Sequence, residues 1–219
     1  MNYFAHAQRF LEDPYFLAGA AVPDWLSVVD RRARARSKSA LRFVDSPETP
    51  VAAIARGIVQ HHRDDDLFHR TAAFARLKLE FSAKIRQRLP ADDGFRPSFL
   101  GHILVEILLD AVLIDDRPEQ LDVYYQRMDS LEPAVVCQAV NRMATRPVPQ
   151  LEAFVPLFSA ERFLYDYADD GKLLKRLNRV LRRVGLAELA DEFVEFLPYA
   201  RQRVSQERRG LFDDWAFFA

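Results

Sequence analysis

The sequence GHILVEILLDAVLI, at residues 101–114, decides the fold class because it is apolar or glycine at all but three positions. Those three positions are His102, Glu106 and Asp110, which follow one another at steps of four residues. On a helix that turns about 100° per residue, they form one narrow polar stripe. A helix that is apolar on every other side is normally buried. Because burying an imidazole and two carboxylates is costly unless a cation compensates them, the stripe predicts one wall of an internal polar site.

A second segment, residues 51–68, repeats this arrangement of polar residues on an apolar face. Its apolar positions recur at steps of three and four residues, which predicts a helix. His61 and Asp65 fall within about 20° of the centre of the apolar line, whereas His62 and Asp64 lie about 80° away. We therefore expect His61 and Asp65 to point inward, and His62 and Asp64 to lean toward the rim or solvent.

The composition and the periodicity predict an all-α fold. Apolar residues make up 49% of the chain, which is ample for a sizeable core, and 7 glycines against 12 prolines favour long helices with proline breaks. No repeat or flexible linker divides the sequence, so we expect a single-domain helical bundle over residues 1–219. The predicted helices run roughly over 3–12, 24–42, 51–69, 71–89, 98–114, 118–131, 134–145, 150–168, 171–184 and 186–208.

The charge balance and the cysteine count exclude several classes of protein. A net charge of -1 gives no global attraction to nucleic acid. The lone Cys137 excludes an internal disulfide and fits a reducing cytoplasm. The N-terminus lacks a secretory signal pattern, and no uninterrupted run of about 18 apolar residues suggests a membrane span. We expect a soluble cytoplasmic protein with no nucleic-acid or membrane partner.

Two basic runs stand out locally in this nearly neutral chain. Each is either a solvated surface or a positive patch suited to an acidic partner or a phosphate-bearing substrate. The runs are Arg31, Arg32, Arg34, Arg36, Lys38 and Arg42, and then Lys172, Lys175, Arg176, Arg179, Arg182 and Arg183.

A divalent metal ion is the natural occupant of the inward histidines and carboxylates. Imidazole nitrogen with carboxylate oxygen suits Mn²⁺, which we expect first, or Fe²⁺ or Zn²⁺, and no thiolate set is present for a structural zinc. His102 and Asp110 are about 12 Å apart along a helix, so the stripe either holds two ions or divides into ligands and their supporting partners. His69 continues the series of His61 and Asp65 by four residues and is either a rim ligand or a surface residue.

Two solitary polar residues in apolar stretches near the N-terminus are further candidates. His6 lies within the sequence FAHA, and Asp24 follows Pro23. An ordinary partly buried histidine is the alternative interpretation of His6. On local pattern alone, a helix N-cap after Pro23 is the favoured interpretation of Asp24.

Several motifs together resemble the acyl carrier protein phosphodiesterases, relatives of the HD-domain metal-dependent phosphohydrolases. The opening MNYFAH, the residues LAG at 17–19 leading to PDW at 23–25, and GI at 57–58 leading to HxRxD at 61–65 carry the likeness. It continues in ExxxD at 106–110 and in the segments around 158–167 and 177–179. The resemblance implies an all-helical HD-like fold and hydrolysis of the phosphodiester that joins 4′-phosphopantetheine to a carrier protein.

The resemblance also implies roles for individual residues. Glu106 stands where the family has an aspartate and would be a ligand or a base. His102 would be a ligand or a proton donor, in place of the family histidine that Ala111 replaces here, and Arg63 would bind phosphate. The implied metal ligands are His6, Asp24, His61, Asp65 and Asp110.

The sequence therefore predicts a metal-dependent phosphodiesterase that acts on an acidic carrier protein, with the second basic run as a docking face. An HD-like phosphohydrolase of nucleotides or other small phosphoesters is the first alternative. A non-catalytic helical metal-binding protein is another. A di-iron redox bundle is less favoured, because such bundles use Glu-x-x-His pairs that this chain lacks.

Overall fold

The computed structural model describes residues 1–89 and 95–212, without the side chain of Phe95, and over these residues the fold is all-α. The only β pairing there is an isolated bridge between Ala35 and Ala144. The all-α prediction is confirmed, whereas the HD-like fold stays a prediction. The helices are α1 (Tyr3–Ala7), α2 (Pro14–Val29), α3 (Ser37–Ala40), α4 (Thr49–Arg70), α5 (Ala72–Arg88), α6 (Phe95–Asp116), α7 (Pro118–Asp129), α8 (Pro133–Met143), α9 (Leu151–Glu161), α10 (Asp170–Arg183) and α11 (Leu197–Glu207). Short 3₁₀ segments span Leu41–Phe43, Phe163–Ala168, Asp191–Phe196 and Arg209–Leu211.

Contacts between helices divide the described chain into two compact units, each built from non-consecutive segments. Unit 1 contains residues 1–2, 67–116 and 163–212, and unit 2 contains residues 3–66 and 117–162. The expectation of a single domain stays a prediction.

Unit 1 is organised around helix α6. Helices α5 and α11 pack on α6, and the ring of Phe81 meets that of Phe196 edge to face at 5.9 Å. A Cβ on Gly101 would collide with the side chain of Ser82, so the missing side chain lets α6 lie close to α5. This close packing fixes the depth of the helix turn that carries His102.

Unit 2 is organised around α2 and the first part of α4. Helix α2 packs against α1, α7, α8 and α9, and the buried Trp25 meets Phe158 edge to face at 5.1 Å. Two glycines let α2 and α4 approach each other closely. A Cβ on Gly19 would collide with the backbone of Ile54, and one on Gly57 would collide with the carbonyl of Phe16. The first turn after Gly57 is therefore held directly against α2.

The helix predicted over residues 24–42 is wrong. Helix α2 begins ten residues earlier, because Asp13 accepts a hydrogen bond from Phe16 N at 3.0 Å and Pro14 occupies the first turn. It then continues through Pro23 to Val29. From the sequence, the pair Asp13-Pro14 predicts the end of a helix, but in the structure it forms the N-cap and first residue of α2.

Three other predicted helices are also shortened or interrupted. Helix α1 ends at Ala7 instead of residue 12, and α11 begins only at Leu197, after a 3₁₀ segment. The helix predicted over 150–168 is interrupted at Arg162, whose backbone is left-handed with a φ of 48°. The break predicted at Gly185 is confirmed, since its φ is 78° and Leu186 N donates to Leu181 O at 2.9 Å.

One described helix, α6, is long and apolar enough to cross a membrane, with a mean hydropathy of 1.8 in the segment Arg96–Asp116. The expectation concerned an uninterrupted run of about 18 apolar residues, and the polar residues His102, Glu106 and Asp110 interrupt this helix. However, 72% of the most apolar 18-residue stretch of this helix is buried inside the protein, which is typical of a core helix and consistent with a soluble protein.

Candidate metal centres

Unit 2 brings together His6 of α1 with His61 and Asp65 of α4, a group that we call cluster 1. His6 Nε2 lies 3.4 Å from Asp65 Oδ1, and His61 Nε2 lies 3.4 Å from Asp65 Oδ2. The two imidazole rings are stacked with their centroids 4.2 Å apart. Both histidines are buried, whereas the Asp65 side chain is 30% exposed. The cluster therefore has a buried imidazole floor and a carboxylate that reaches solvent.

The outer nitrogens of both imidazoles have partners that assign the tautomers. His61 Nδ1 lies 2.8 Å from the carbonyl oxygen of Ala20, which can only accept, so Nδ1 carries the proton. A neutral His61 then presents the lone pair of Nε2 toward Asp65. His6 Nδ1 lies 3.3 Å from Asp64 Oδ2, and His6 Nε2 is buried without a hydrogen bond. With neutral imidazoles, cluster 1 gathers two nitrogen lone pairs and a carboxylate, which is the donor set of a metal site.

The carboxylates around cluster 1 favour a positive charge on His6. Burial alone would lower the pKa of His6, but interactions with Asp64 and Asp65 outweigh it and raise the pKa to about 9. Burial would raise the pKa of Asp65, but interactions with His6 and His61 hold it well below its usual range. A proton on His6 is thus favoured by Asp64 and Asp65, and a cation bound by both histidines and Asp65 would be favoured by the same carboxylate.

Asp64 contacts cluster 1, although the sequence pattern places it at the rim or in solvent. It was expected at the rim or in solvent, but it is 1% exposed, contacts His6 and accepts a hydrogen bond from Gln60 Nε2 at 2.6 Å. The expectation is wrong because α4 is buried on a broader face than its apolar line indicates. Gly57 lies seven residues before Asp64 on the same face, and this glycine, which lies against α2, is the one sequence signal of close packing on that flank.

Asp24 lies inside α2, one residue after Pro23, and is partly buried. The N-cap interpretation is wrong, because Asp13 caps this helix. Burial raises the pKa of Asp24, while the imidazoles of His61 and His6 oppose that rise. Asp24 is thus within the electrostatic field of cluster 1, and its role as a ligand stays a prediction.

Unit 1 brings together His69, His102 and Glu106, a group that we call cluster 2. His69 Nε2 and His102 Nε2 lie 2.9 Å and 3.0 Å from the same atom, Glu106 Oε1. The amino group of Met1 donates to that oxygen at 3.2 Å. Burial would raise the pKa of Glu106, but the Met1 ammonium, His102 and His69 hold it well below its usual range. The structure thus brings His69, which the sequence offered as a candidate ligand, together with His102 and Glu106 in one group.

The remaining predicted site residues belong to neither cluster. Asp110 is fully buried on α6 in unit 1. Arg63 is exposed on α4, and it lies about 200° around the helix from both His61 and Asp65. The roles predicted for these two residues stay predictions.

The chain matches no protein-family model, no curated protein and no solved structure.

Proposed function

We propose that this protein is a metal-dependent phosphodiester hydrolase whose divalent ion is held by His6, His61 and Asp65. The observation that carries the proposal is the convergence of three potential ligand atoms, in which the Nδ1 atoms of both histidines have outer hydrogen-bond partners. Such outer hydrogen bonds orient histidine ligands in metalloproteins. Two ligands about 2.1 Å from an ion are about 3.4 Å apart at a tetrahedral angle, which fits the nitrogen–oxygen distances of cluster 1.

The donor set favours Mn²⁺, Fe²⁺ or Zn²⁺, and we propose Mn²⁺ first. An ion at this position supplies Lewis acidity toward a phosphoryl oxygen and toward a water nucleophile. Ala20 and Asp64 would orient the imidazoles of His61 and His6 toward the ion. The partly exposed side chain of Asp65 leaves one side of the site open to a substrate.

A phosphate-bearing substrate is favoured by the basic segment at residues 31–36 of the same unit. His62 Nε2 donates to the carbonyl of Ala35 at 2.7 Å, and the His62 ring meets that of His61 edge to face at 5.3 Å. The segment is therefore fastened to the helix turn that carries cluster 1. Its arginines, at positions 31, 32, 34 and 36, are exposed and make the surface there positive.

The resemblance noted in the sequence makes the diester of 4′-phosphopantetheine on a carrier protein the first substrate proposal, with small phosphoesters second. The predicted roles of Glu106, as a ligand or a base, and of His102, as a ligand or a proton donor, stay predictions. The exposed basic face of α10 is the proposed docking surface for an acidic carrier protein. Lys175 and Arg183 are exposed on it, whereas Arg176 is turned toward Asp166 at 2.5 Å and Arg182 pairs with Glu188 at 2.9 Å.

The test is a turnover assay of chelator-treated protein reloaded separately with Mn²⁺, Fe²⁺ and Zn²⁺. The substrates are a holo-carrier protein, bis-p-nitrophenyl phosphate and a cyclic nucleotide. Asp65→Asn should lower kcat by about 100-fold or more because the ion loses its anionic ligand, while His62→Gln, which keeps an N–H donor for Ala35, should stay close to wild type. Failure of the wild type to hydrolyse any of the three substrates with any of the three ions would refute the proposal.

A further inference from the structure

Cluster 2 has the composition and the spacing of a metal site in its own right. We propose that His69, His102 and Glu106 bind a second divalent cation, of the class that imidazole nitrogen and carboxylate oxygen select. Nothing in this proposal depends on phosphodiester hydrolysis or on the occupancy of cluster 1.

The three ligand atoms are already at coordination spacing. Two ligands about 2.1 Å from one ion and at right angles to it are about 3.0 Å apart. His69 Nε2 and His102 Nε2 lie 2.9 Å and 3.0 Å from Glu106 Oε1, which matches this ligand-to-ligand distance. Two histidines and one carboxylate also leave coordination positions open to water or another ligand.

The ligands stand on regular elements. His102 and Glu106 are one turn apart on α6, and His69 lies in the last turn of α4. The Phe74 ring lies against both imidazoles, with centroid distances of 4.8 Å to His69 and 5.1 Å to His102. This aromatic wall limits the rotation of the two rings, so the site is preorganised.

The burial and the charge of the cluster 2 side chains also suit a metal site that solvent can reach. The side chains of His69 and His102 are 32% and 33% exposed, while that of Glu106 is 14% exposed. The imidazoles are thus the more solvent-exposed ligands, and the carboxylate is the more buried one. The Met1 ammonium lies 3.2 Å from that carboxylate, so the position already attracts a positive charge.

The ammonium provides the competing explanation, in which cluster 2 is a purely internal ion pair. The two explanations differ in metal stoichiometry. A metal site adds one bound ion per chain that depends on Glu106, and an internal ion pair adds none.

The experiment counts bound ions in the full chain by equilibrium dialysis of chelator-treated protein against Zn²⁺, with circular dichroism to verify folding. The wild type should bind two equivalents, Glu106→Gln one and Asp65→Asn one, and the double variant should bind none. Glu195→Gln, which alters an exposed glutamate of the same unit, should keep both.

A folded Glu106→Gln protein that retains the stoichiometry of the wild type would overturn the inference. So would a wild type with a single equivalent that Asp65→Asn removes. If Glu106→Gln does not fold, the pair His69→Gln and His102→Gln takes its place, with the same expected loss of one equivalent. Because the experiment counts bound ions and not turnover, its result does not depend on the hydrolase proposal. A wild type that binds one equivalent, which Glu106→Gln removes and Asp65→Asn does not, would contradict metal binding by cluster 1 and leave the inference for cluster 2 intact.

Discussion

Raising the pH of the metal-free protein should remove the positive charge that holds cluster 1 together. In the folded chain, Asp64 and Asp65 outweigh the effect of burial and raise the pKa of His6 from 6.5 to about 9. The unfolded chain has no such partners, so its histidine titrates near the ordinary value. The folded state therefore binds a proton more tightly than the unfolded state over this interval.

The sign and the size of the effect follow from linkage. Because the folded pKa is the higher one, the contribution to stability is fully present below about pH 6.5 and is lost as the pH rises to about 9. A difference from 6.5 to about 9 corresponds to about 3 kcal/mol of folding free energy. For a domain of ordinary stability this is a substantial share of the total.

The measurement is urea unfolding in EDTA at about pH 6 and about pH 9.5, for the wild type and His6→Gln. The loss of free energy of unfolding between these two pH values should be about 3 kcal/mol greater for the wild type, because His6→Gln has no titrating group at this position. Saturating metal should abolish the difference, since a bound cation takes the place of the proton. Equal pH dependence in wild type and variant would refute the argument that His6 carries the charge of cluster 1.

Two further predictions concern packing and docking. Gly57→Ala should lower the free energy of unfolding by about 2 kcal/mol, because the clash with Phe16 outweighs the gain in helix propensity, whereas Gly171→Ala should change it by less than about 1 kcal/mol in a urea titration. Reversing Lys175 and Arg183 to glutamate should raise the apparent KM for a carrier protein, most strongly at low salt, and leave turnover of a small diester unchanged. Equal loss with both substrates would identify the face as structural.

Helix type and most helix breaks could be predicted from the sequence because they depend on local signals. The apolar residues of the run at 101–114 are buried as expected except for Ile103, which is partly exposed, and Gly185 ends α10 in the predicted place. The error at α2 also has a local cause. Asp13 and Pro14 are ambiguous as a pair, since they both interrupt a preceding helix and start a new one, and Pro23 then suggests a break inside the helix that follows.

Ligand grouping depends on packing between helices, and a one-dimensional pattern does not contain it. The period placed His61 and Asp65 on the buried face of α4, but it missed Asp64, which is 1% exposed and contacts His6 of α1. Along α6, rise per residue alone excluded one ion shared by His102 and Asp110. Only packing within unit 1 gives His102 and Glu106 their third partner, His69. Distance along a helix thus identifies which residues are too far apart to share an ion, and the contacts between helices determine which residues do share one.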